Sequence, residues 1–339
     1  MKSKGFALIL GAGGFIGGAM ATKLSSLGFH VFGADLKNYE YGHPFTNFFK
    51  VDLAKYENME LVLKKSLEFC EQNELQFNYI FQYAADMGGA GYIFTGLNDV
   101  HIMLNSVSIN TNLISLATND LNQQLRPVKI FYSSSACIYP EYNQIDPMNP
   151  NCREDTAYPA NPDSEYGWEK IFSERLFLAA ERNFGLSVRV ARFHNIYGPH
   201  GTFDGGREKA PAALCRKVAL AKDGDQIEIW GDGKQTRSFL FIEDCLEATL
   251  LFLNSEFTGP LNIGSTEMIS INELFNKISY ISKKTISKKN VDGPTGVRGR
   301  NSDNELIEEK LGWSPRYGLD LGLLETYKWI EQQVTKKII

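Results

Sequence analysis

The sequence predicts an α/β fold: a doubly wound parallel sheet with a smaller α/β lobe. Two observations carry this prediction. Through the first half of the chain, short apolar runs alternate with amphipathic stretches, and a glycine-rich turn follows the first run. Regular β-α alternation is typical of a parallel sheet with helices on both faces. The second half is rich in glycine, proline and polar loops, which indicates a separate, smaller lobe.

The elements follow from the period of their apolar residues, because strands are short apolar runs and helices repeat about every 3.6 residues. The predicted strands span residues 6–10, 30–34, 48–51, 79–82, 128–132 and 187–191. The predicted helices span residues 15–27, 57–70, 100–118, 164–183, 211–222, 244–253, 271–279 and 321–334.

Length and composition narrow the class of protein. The chain has 339 residues, more than one hydrophobic core usually supports, so we expect two lobes. Its net charge of −5 shows no basic excess that would favour nucleic acid. Five cysteines without a CxxC pair argue against a disulfide framework and for a reducing compartment. No apolar run approaches the roughly 18 residues of a membrane span. We therefore expect a cytoplasmic protein with no membrane partner.

The glycine-rich turn predicts a site for a dinucleotide. Gly11, Gly14 and Gly17 lie between the first strand and the first helix, where glycines let the backbone approach a pyrophosphate at the helix N-terminus. Phe15 and Ile16 begin that helix and share the site. Taken alone, the turn could be an ordinary strand-helix connection.

Acidic and small residues after the next strands support a Rossmann-type site. Asp35 ends the second strand, where a carboxylate can accept hydrogen bonds from ribose hydroxyls and repel the extra phosphate of NADP. The predicted cofactor is therefore NAD. Asp35 could instead cap the following turn. Four further residues follow the third and fourth strands and are predicted to line the cofactor groove: Asp52, Leu53, Ala84 and Ala85.

A tyrosine, a lysine and a serine cluster predict the catalytic chemistry. Tyr166 and Lys170 are four residues apart, so they share one helix face. An ammonium beside a phenol favours the phenolate, and we expect it to lower the pKa of Tyr166 and make that residue a general base. Ser133 and Ser135 follow the fifth strand at the edge where ligands bind. This Ser, Tyr and Lys combination resembles the extended short-chain dehydrogenase/reductase family, which implies that Ser133, Tyr166 and Lys170 also contact the cofactor.

Several longer segments narrow the resemblance to the GDP-mannose 3,5-epimerase family. They span residues 85–89, 134–140, 192–199, 205–213, 230–239 and 296–304, so that nearly the whole chain is covered. Leu10 departs from the wider family, which often has Thr there. The resemblance implies that NAD oxidises C4 of a GDP-hexose transiently, that protons at C3 and C5 are exchanged, and that C4 is then reduced again.

The resemblance also assigns the acid/base pair and the substrate contacts. Cys137 and Lys209 are the groups that would remove and return the protons. The residues expected to contact the sugar, diphosphate or nucleoside are Gly88, Ser135, Ala136, Cys137, Asn195, Glu208, Lys209, Ala210, Lys217, Gln235, Arg237 and Arg298. Arginine suits bidentate phosphate contacts. Arg300 could equally be structural, and we expect His194 to be a satisfied near-core histidine.

The motifs, with the resemblance, also predict the lobes and the assembly. Residues 1–192 with about 236–262 are expected to form the NAD-binding domain. Residues 193–235 and 263–339 are expected to form the sugar-nucleotide lobe. The family implies a homodimer through the helices near residues 100–118 and 164–183. The histidines and cysteines lack metal-ligand spacing, so no metal is expected.

Other functions remain open at this point. A related GDP-sugar such as a GDP-heptose could be the substrate. A GDP-4-keto-6-deoxymannose 3,5-epimerase/4-reductase would need NADPH and a histidine acid, which Asp35 and the Glu208–Lys209 pair disfavour. A 4,6-dehydratase needs an acidic pair where Ala136 and Cys137 stand. A 4-epimerase would leave Cys137 and Lys209 idle. A non-catalytic NAD-sensing protein would not need this set of residues.

Overall fold

The computed structural model describes residues 4–338, which form 14 strands and 11 α-helices. The strands are β1 (Phe6–Leu10), β2 (His30–Asp35), β3 (Asn47–Lys50), β4 (Phe77–Gln82), β5 (Lys129–Ser135), β6 (Ser187–Phe193), β7 (Ile196–Tyr197), β8 (Gln226–Trp230), β9 (Thr236–Ser238), β10 (Leu240–Phe241), β11 (Leu261–Ile263), β12 (Met268–Ser270), β13 (Ser287–Val291) and β14 (Gly299–Arg300). The helices are α1 (Phe15–Ser26), α2 (Tyr56–Gln72), α3 (Ala90–Ile93), α4 (Asp99–Thr118), α5 (Asn122–Leu125), α6 (Glu165–Phe184), α7 (Ala210–Leu220), α8 (Ile242–Asn254), α9 (Ile271–Ser282), α10 (Glu305–Leu311) and α11 (Leu319–Ile338).

Seven of the strands form one parallel sheet in the order β11-β6-β5-β4-β1-β2-β3. The order reverses between β1 and β4, because the chain crosses back over the sheet there. Ligands bind in doubly wound sheets at this reversal, beside the carboxyl ends of the strands. The predicted fold class is therefore confirmed, and the sheet brings the ends of β1, β4 and β5 to one edge.

Alternating side chains of the strands build an apolar core on each face of the sheet. In β1, Ala7 and Ile9 join a cluster that also contains α1 and α8, whereas Phe6, Leu8 and Leu10 join one formed with α2, α4 and α6. Successive strand residues point to opposite faces, so an entirely apolar strand must be covered on both sides. The buried strands hold the site residues on a rigid edge.

The second half of the chain forms three small sheets beside the large one. They are the pair β7 and β10, the pair β8 and β13, and the set β12-β9-β14. The helices α7, α9 and α11 pack on one another there. The division of the chain into two lobes stays a prediction.

Several boundaries differ from those expected. β5 continues through Ser135, because Ser133 to Ser135 keep their ladder pairing with β6. The serine cluster therefore ends the strand and does not follow it. The last helix, expected over residues 321–334, runs from Leu319 to Ile338. Across residues 4–338, no helix has the length and apolar character needed to cross a bilayer.

Candidate active site

The glycine turn connects β1 to α1 with almost no space for side chains. A Cβ on Gly11 would lie 2.6 Å from the amide nitrogen of Ala84, and one on Gly17 would lie 2.2 Å from the Gly11 carbonyl oxygen. Gly14 is the N-cap of α1, whose first residues are Phe15 and Ile16. Amide groups in a first helical turn lack intrahelical partners and attract anions. The turn is therefore a cradle into which a pyrophosphate fits.

Asp35 lies beside this cradle at the end of β2. Its carboxylate accepts hydrogen bonds from the amides of Gly13 and Lys37, both at 3.0 Å. Burial raises the pKa of Asp35, and the two amide hydrogen bonds act in the opposite direction. A carboxylate has about four acceptor positions, so it can still accept from ribose hydroxyls. The residues present thus fit an NAD without a 2′-phosphate.

The other predicted cofactor residues lie on the loops after β3 and β4. The Asp52 carboxylate accepts from the Ala54 amide at 3.0 Å, and Leu53 is buried. Ala84 and Ala85 follow β4, where the Ala84 amide donates to the Gln82 side chain at 3.2 Å. These loops leave the same edge of the sheet as the glycine turn.

Ser135, Tyr166 and Lys170 meet where β5 ends beside α6. The Ser135 hydroxyl accepts from the Cys137 amide at 3.2 Å and also interacts with the Tyr166 phenol. Lys170 Nζ donates to the Ser133 carbonyl at 3.2 Å and lies 5.7 Å from the centre of the Tyr166 ring. The predicted serine, tyrosine and lysine group is therefore assembled. Ser133 instead directs its hydroxyl to the Gln82 carbonyl, at 3.1 Å.

The expected lowering of the Tyr166 pKa is wrong for the protein alone. Burial raises the pKa of Tyr166, the nearby Cys137 raises it further, and the Ser135 hydrogen bond and Arg300 lower it less. Burial also lowers the pKa of Lys170. Desolvation disfavours the charged form of either group, so the Lys170 ammonium does not outweigh it here.

Cys137 lies in a short 3-10 helix, Ala136–Ile138, capped by Ser135. A Cβ on Gly167 would lie 2.2 Å from the Cys137 carbonyl oxygen, so α6 packs directly on this turn. On its other side, Arg300 Nη1 donates to the Cys137 sulfur at 3.0 Å. The thiol thus lies next to both Tyr166 and a buried guanidinium.

Lys209 enters the same site from the loop before α7. It is the N-cap residue of that helix, and its electrostatic interactions include Cys137. Burial lowers the pKa of Lys209, and Cys137 opposes that effect. Ala210 begins the helix. The Glu208 carboxylate accepts from the Gly206 amide at 2.7 Å and pairs with Arg216 at 3.2 Å, which holds the loop in shape.

The loop of Lys209 packs on the loop after β4. The Gly89 amide donates to the Arg207 carbonyl at 3.0 Å, and a Cβ on Gly89 would lie 2.2 Å from the Glu208 carbonyl oxygen. Arg207 pairs with Asp86 at 2.9 Å. Gly88 precedes this contact and faces Tyr92. The two loops therefore form one wall of the site, and no local sequence pattern indicates this role for Gly89.

The remaining predicted substrate residues divide into two groups. Gln235 precedes β9, and Arg237 on β9 is the ladder partner of Arg300 on β14. Asn195, held in the left-handed region at φ 45°, donates to the Ser238 carbonyl at 2.9 Å. These three are brought near the site.

Lys217 and Arg298 are less directly engaged with that site. Lys217 lies in the last turn of α7 and donates to the Glu228 carbonyl at 2.9 Å. Arg298 is partly exposed and forms a two-point pair with Asp232 at 3.0 and 3.1 Å.

His194 is buried as expected, but the expectation that both of its ring nitrogens are satisfied is wrong. Its Nε2 lies 2.9 Å from the Asn262 side-chain oxygen, and burial lowers its pKa to about 3. Its Nδ1 has no hydrogen-bond partner among the described residues. No cluster of three or more metal-ligating side chains occurs in residues 4–338.

A glycine cradle with a strand-end aspartate, and a Ser-Tyr-Lys group on the same sheet edge, define a dinucleotide-dependent enzyme of the short-chain dehydrogenase type. The model of the NAD dependent epimerase/dehydratase family matches residues 7–264. The chain belongs to this family and, within it, to the family of GDP-mannose 3,5-epimerases, as its similarity to curated relatives shows. It is an NAD-dependent isomerase.

The curated relatives match along nearly the whole chain. The GDP-mannose 3,5-epimerase of Arabidopsis thaliana is 43% identical over 97% of this chain and 83% of its own length. The GDP-mannose 3,5-epimerase 1 of Oryza sativa subsp. indica is 44% identical over 97% of this chain and 82% of its own. A solved structure of UDP-glucuronic acid 4-epimerase from Bacillus cereus, in complex with UDP-glucuronic acid and NAD, shares the fold. Its TM-score is 0.76 and its identity 24%, covering 97% of this chain and 99% of that one.

Proposed function

We propose that this enzyme converts GDP-D-mannose to GDP-L-galactose by inverting C3 and C5 of the hexose. The observation that carries the proposal is that Cys137, Tyr166 and Lys209 converge on one site at the edge of the sheet. The two relatives described above, named GDP-mannose 3,5-epimerase, support the choice of sugar nucleotide. Inversion at two carbons requires both a hydroxyl base and a pair of acid/base groups.

The first step is the loss of the C4 hydroxyl proton. Bound NAD supplies a reversible acceptor for the C4 hydride, so that C4 becomes a ketone and is later restored. Tyr166 accepts the hydroxyl proton, with the Ser135 hydroxyl interacting with its phenol. Lys170 Nζ lies 5.7 Å from the centre of the Tyr166 ring and donates a hydrogen bond to the Ser133 carbonyl. Its ammonium favours the phenolate that burial alone disfavours.

The C4 ketone makes the protons on C3 and C5 acidic. One group removes a proton, its C–H electron pair passes into the enolate, and a second group returns a proton on the opposite face. Cys137 and Lys209 carry these roles in our proposal. Burial lowers the pKa of Lys209, which brings an amine closer to the range where it both gives and takes protons.

The substrate is held by the residues around this pair. The Gln235 side-chain oxygen is buried and has no partner among the described residues, so it can accept a donor of the nucleotide. The chain has a net charge of −5, so the diphosphate of the substrate needs local cations. Arg237, Arg298 and Lys217 supply this positive charge. The remaining substrate contacts in this proposal come from six residues that the resemblance assigns: Gly88, Ser135, Ala136, Asn195, Glu208 and Ala210.

Product analysis tests the proposal against its rivals. Purified enzyme incubated with GDP-mannose, with no added reductant, should yield GDP-L-galactose or its single epimers by NMR. A requirement for NADPH and a 4-keto-6-deoxy substrate would instead indicate the epimerase/reductase. Turnover of a GDP-heptose alone would change the sugar. NAD binding without turnover of any GDP-sugar would indicate a sensing protein.

The second part of the proposal is a homodimer through α4 and α6. These helices pack side by side and leave several large apolar side chains exposed. Exposed apolar patches of this kind mark protein–protein interfaces. The exposed set comprises Val100, Leu104, Trp168 and Phe172. Multi-angle light scattering should give a mass of two chains, and Phe172→Asp should give one. A wild-type mass of one chain would contradict this assembly.

A further inference from the structure

The Arg300 guanidinium is buried and makes three side-chain contacts with three separate segments. Nε donates to the Gln144 oxygen at 2.6 Å, Nη2 donates to the Asp163 carboxylate at 2.9 Å, and Nη1 donates to the Cys137 sulfur at 3.0 Å. Its exposed fraction is 5%. A cation with this little solvent must be stabilised by the groups it touches, because burying an unpaired charge is costly.

Two of these partners fix the orientation of the guanidinium. The Gln144 amide donates to the carbonyls of Tyr139 and Pro140, at 2.9 and 3.2 Å, which leaves its oxygen facing Arg300. The Asp163 carboxylate also accepts from Ser164, the N-cap of α6, at 3.2 Å. Because the guanidinium is planar and its donors are in fixed directions, these two contacts determine where Nη1 points.

The backbone of Arg300 is equally constrained. β14 pairs with β9, and a Cβ on Gly299 would lie 2.6 Å from the Asp146 carbonyl oxygen. The strand therefore packs directly on the segment that supplies Gln144. The backbone position of Arg300 is therefore fixed, and its side chain contacts the Cys137 sulfur in a buried environment.

We propose that Arg300 is a positioning residue for the acid/base thiol, holding the Cys137 sulfur in place and stabilising its thiolate. This proposal rests on the proposed function, in which Cys137 exchanges a proton with the hexose ring. The thiolate takes the ring proton, the C–H electron pair forms the enolate of the C4 ketone, and the sulfur becomes a thiol. In the reverse direction the thiol returns its proton to carbon.

Positive charges are concentrated around the Cys137 sulfur. Burial lowers the pKa of Arg300, but Cys137 and Asp163 outweigh it and raise the pKa overall. Arginine does not lose its proton in proteins, so its charge is permanent. The other titratable groups that interact electrostatically with the sulfur are Tyr166, Lys170, Lys209, Arg237 and Cys152. Three of these five are cations, and Arg300 is the one in hydrogen-bond contact.

The test measures the reactivity of the thiol without any sugar. The NAD-loaded enzyme is treated with iodoacetamide between pH 5 and 10, and alkylation of Cys137 is quantified by peptide mass spectrometry, since the thiolate is the reactive form. In Arg300→Met the midpoint of the rate profile should rise by at least about one pH unit, which at a pH below both midpoints is about a tenfold lower rate. Arg300→Gln keeps polar contacts but loses the charge, and should shift the midpoint in the same direction.

A matched control separates charge from the loss of any buried arginine. Arg189, near the start of β6, is also buried but donates to the backbone carbonyls of Val188 and Ser255. It contacts none of the proposed catalytic groups there, so Arg189→Met should leave the midpoint unchanged. An unchanged midpoint in whichever Arg300 variant folds overturns the inference. That outcome is independent of the proposed reaction, because failure of the wild type to act on GDP-mannose would leave the alkylation result standing.

Discussion

Gly167 packs against the backbone of Cys137, and a Cβ added at Gly167 would lie 2.2 Å from the Cys137 carbonyl oxygen. Gly167 directly follows Tyr166, the proposed hydroxyl base, on α6. The same Cβ would lie 2.7 Å from the Pro162 side chain, so neither neighbour leaves room for it. This contact determines how closely the helix of Tyr166 approaches the turn of Cys137, and hence the distance between the two side chains.

The variant Gly167→Ala should therefore move apart the side chains of Tyr166 and Cys137, the two groups proposed to be catalytic. We expect a loss of turnover of at least about tenfold and a loss of about 1–3 kcal/mol in unfolding free energy, typical of overpacking. Steady-state kinetics and chemical denaturation measure both. Gly318→Ala is the control, because nothing lies within 4 Å of its Cβ position. Unchanged activity in Gly167→Ala would mean that this spacing does not matter.

Variants of Tyr166 and of Cys137 should block different steps of the reaction. Tyr166→Phe removes the hydroxyl base, so both product and formation of reduced nicotinamide in a single turnover should fall by about 10²–10⁴. Cys137→Ala should block product but still allow reduced nicotinamide to form, seen by its absorbance. Tyr79→Phe, whose hydroxyl contacts Asn254 far from the site, is the control. Equal loss of both signals in Cys137→Ala would contradict a separate role for the thiol.

Asp35 should govern the choice between NAD and NADP. Asp35→Ala removes the ribose acceptor and the anchor of the Gly13 and Lys37 amides, so NAD affinity should fall by at least about tenfold, the loss of one charged hydrogen bond. NADP affinity should fall less, because the repulsion is also removed. Isothermal titration calorimetry of enzyme freed of its cofactor measures both affinities. The control is Asp120→Asn, a substitution of an exposed aspartate. A larger loss for NADP than for NAD would refute this role.

The buried His194 should make the fold sensitive to acid. Its pKa is lowered to about 3 in the folded protein, from an ordinary value near 6.5, because burial disfavours the cation. The unfolded chain therefore binds more protons between these two values, and stability falls as pH decreases through that window. Across this pH window, protonation of His194 in the unfolded chain should lower the unfolding free energy by about 3–5 kcal/mol.

The variant His194→Gln keeps a donor toward Asn262 but does not titrate. Its unfolding free energy should fall less steeply than that of the wild type between pH 6.5 and 3, measured by denaturant titration. The exposed His101→Gln is the control and should follow the wild type. Parallel curves for the wild type and His194→Gln would show that His194 does not contribute.

Local sequence patterns predicted most of the fold because they report local physics. The period of apolar residues located the first six strands and eight of the helices, and the predicted α4 began one residue away from the observed one. It missed β8 and β13, which have five residues each and pair with one another. The short strands of the second half were not predicted, since β7, β10 and β14 have two residues each and carry no period. Such strands exist through pairing with distant segments.

The candidate site was predictable where a motif joins neighbouring residues. Tyr166 and Lys170 share a helix face by spacing alone, and the glycine turn has one geometry. Arg300 was ambiguous because its contact with Cys137 joins residues 163 positions apart. The sequence also did not predict the raised pKa of Tyr166, because desolvation depends on how distant segments of the chain bury the ring. Gly89 and Gly167 are needed for tertiary contacts that spacing does not reveal.

The proposed reaction requires a ketone to form at C4 and to make the protons at both C3 and C5 exchangeable. Incubation of GDP-mannose with the NAD-loaded enzyme in D₂O, followed by NMR, detects this exchange. We predict deuterium at C3, at C5 or at both, no net accumulation of reduced cofactor, and loss of the label in Cys137→Ala. Turnover of GDP-mannose with no deuterium at either carbon would contradict the claim.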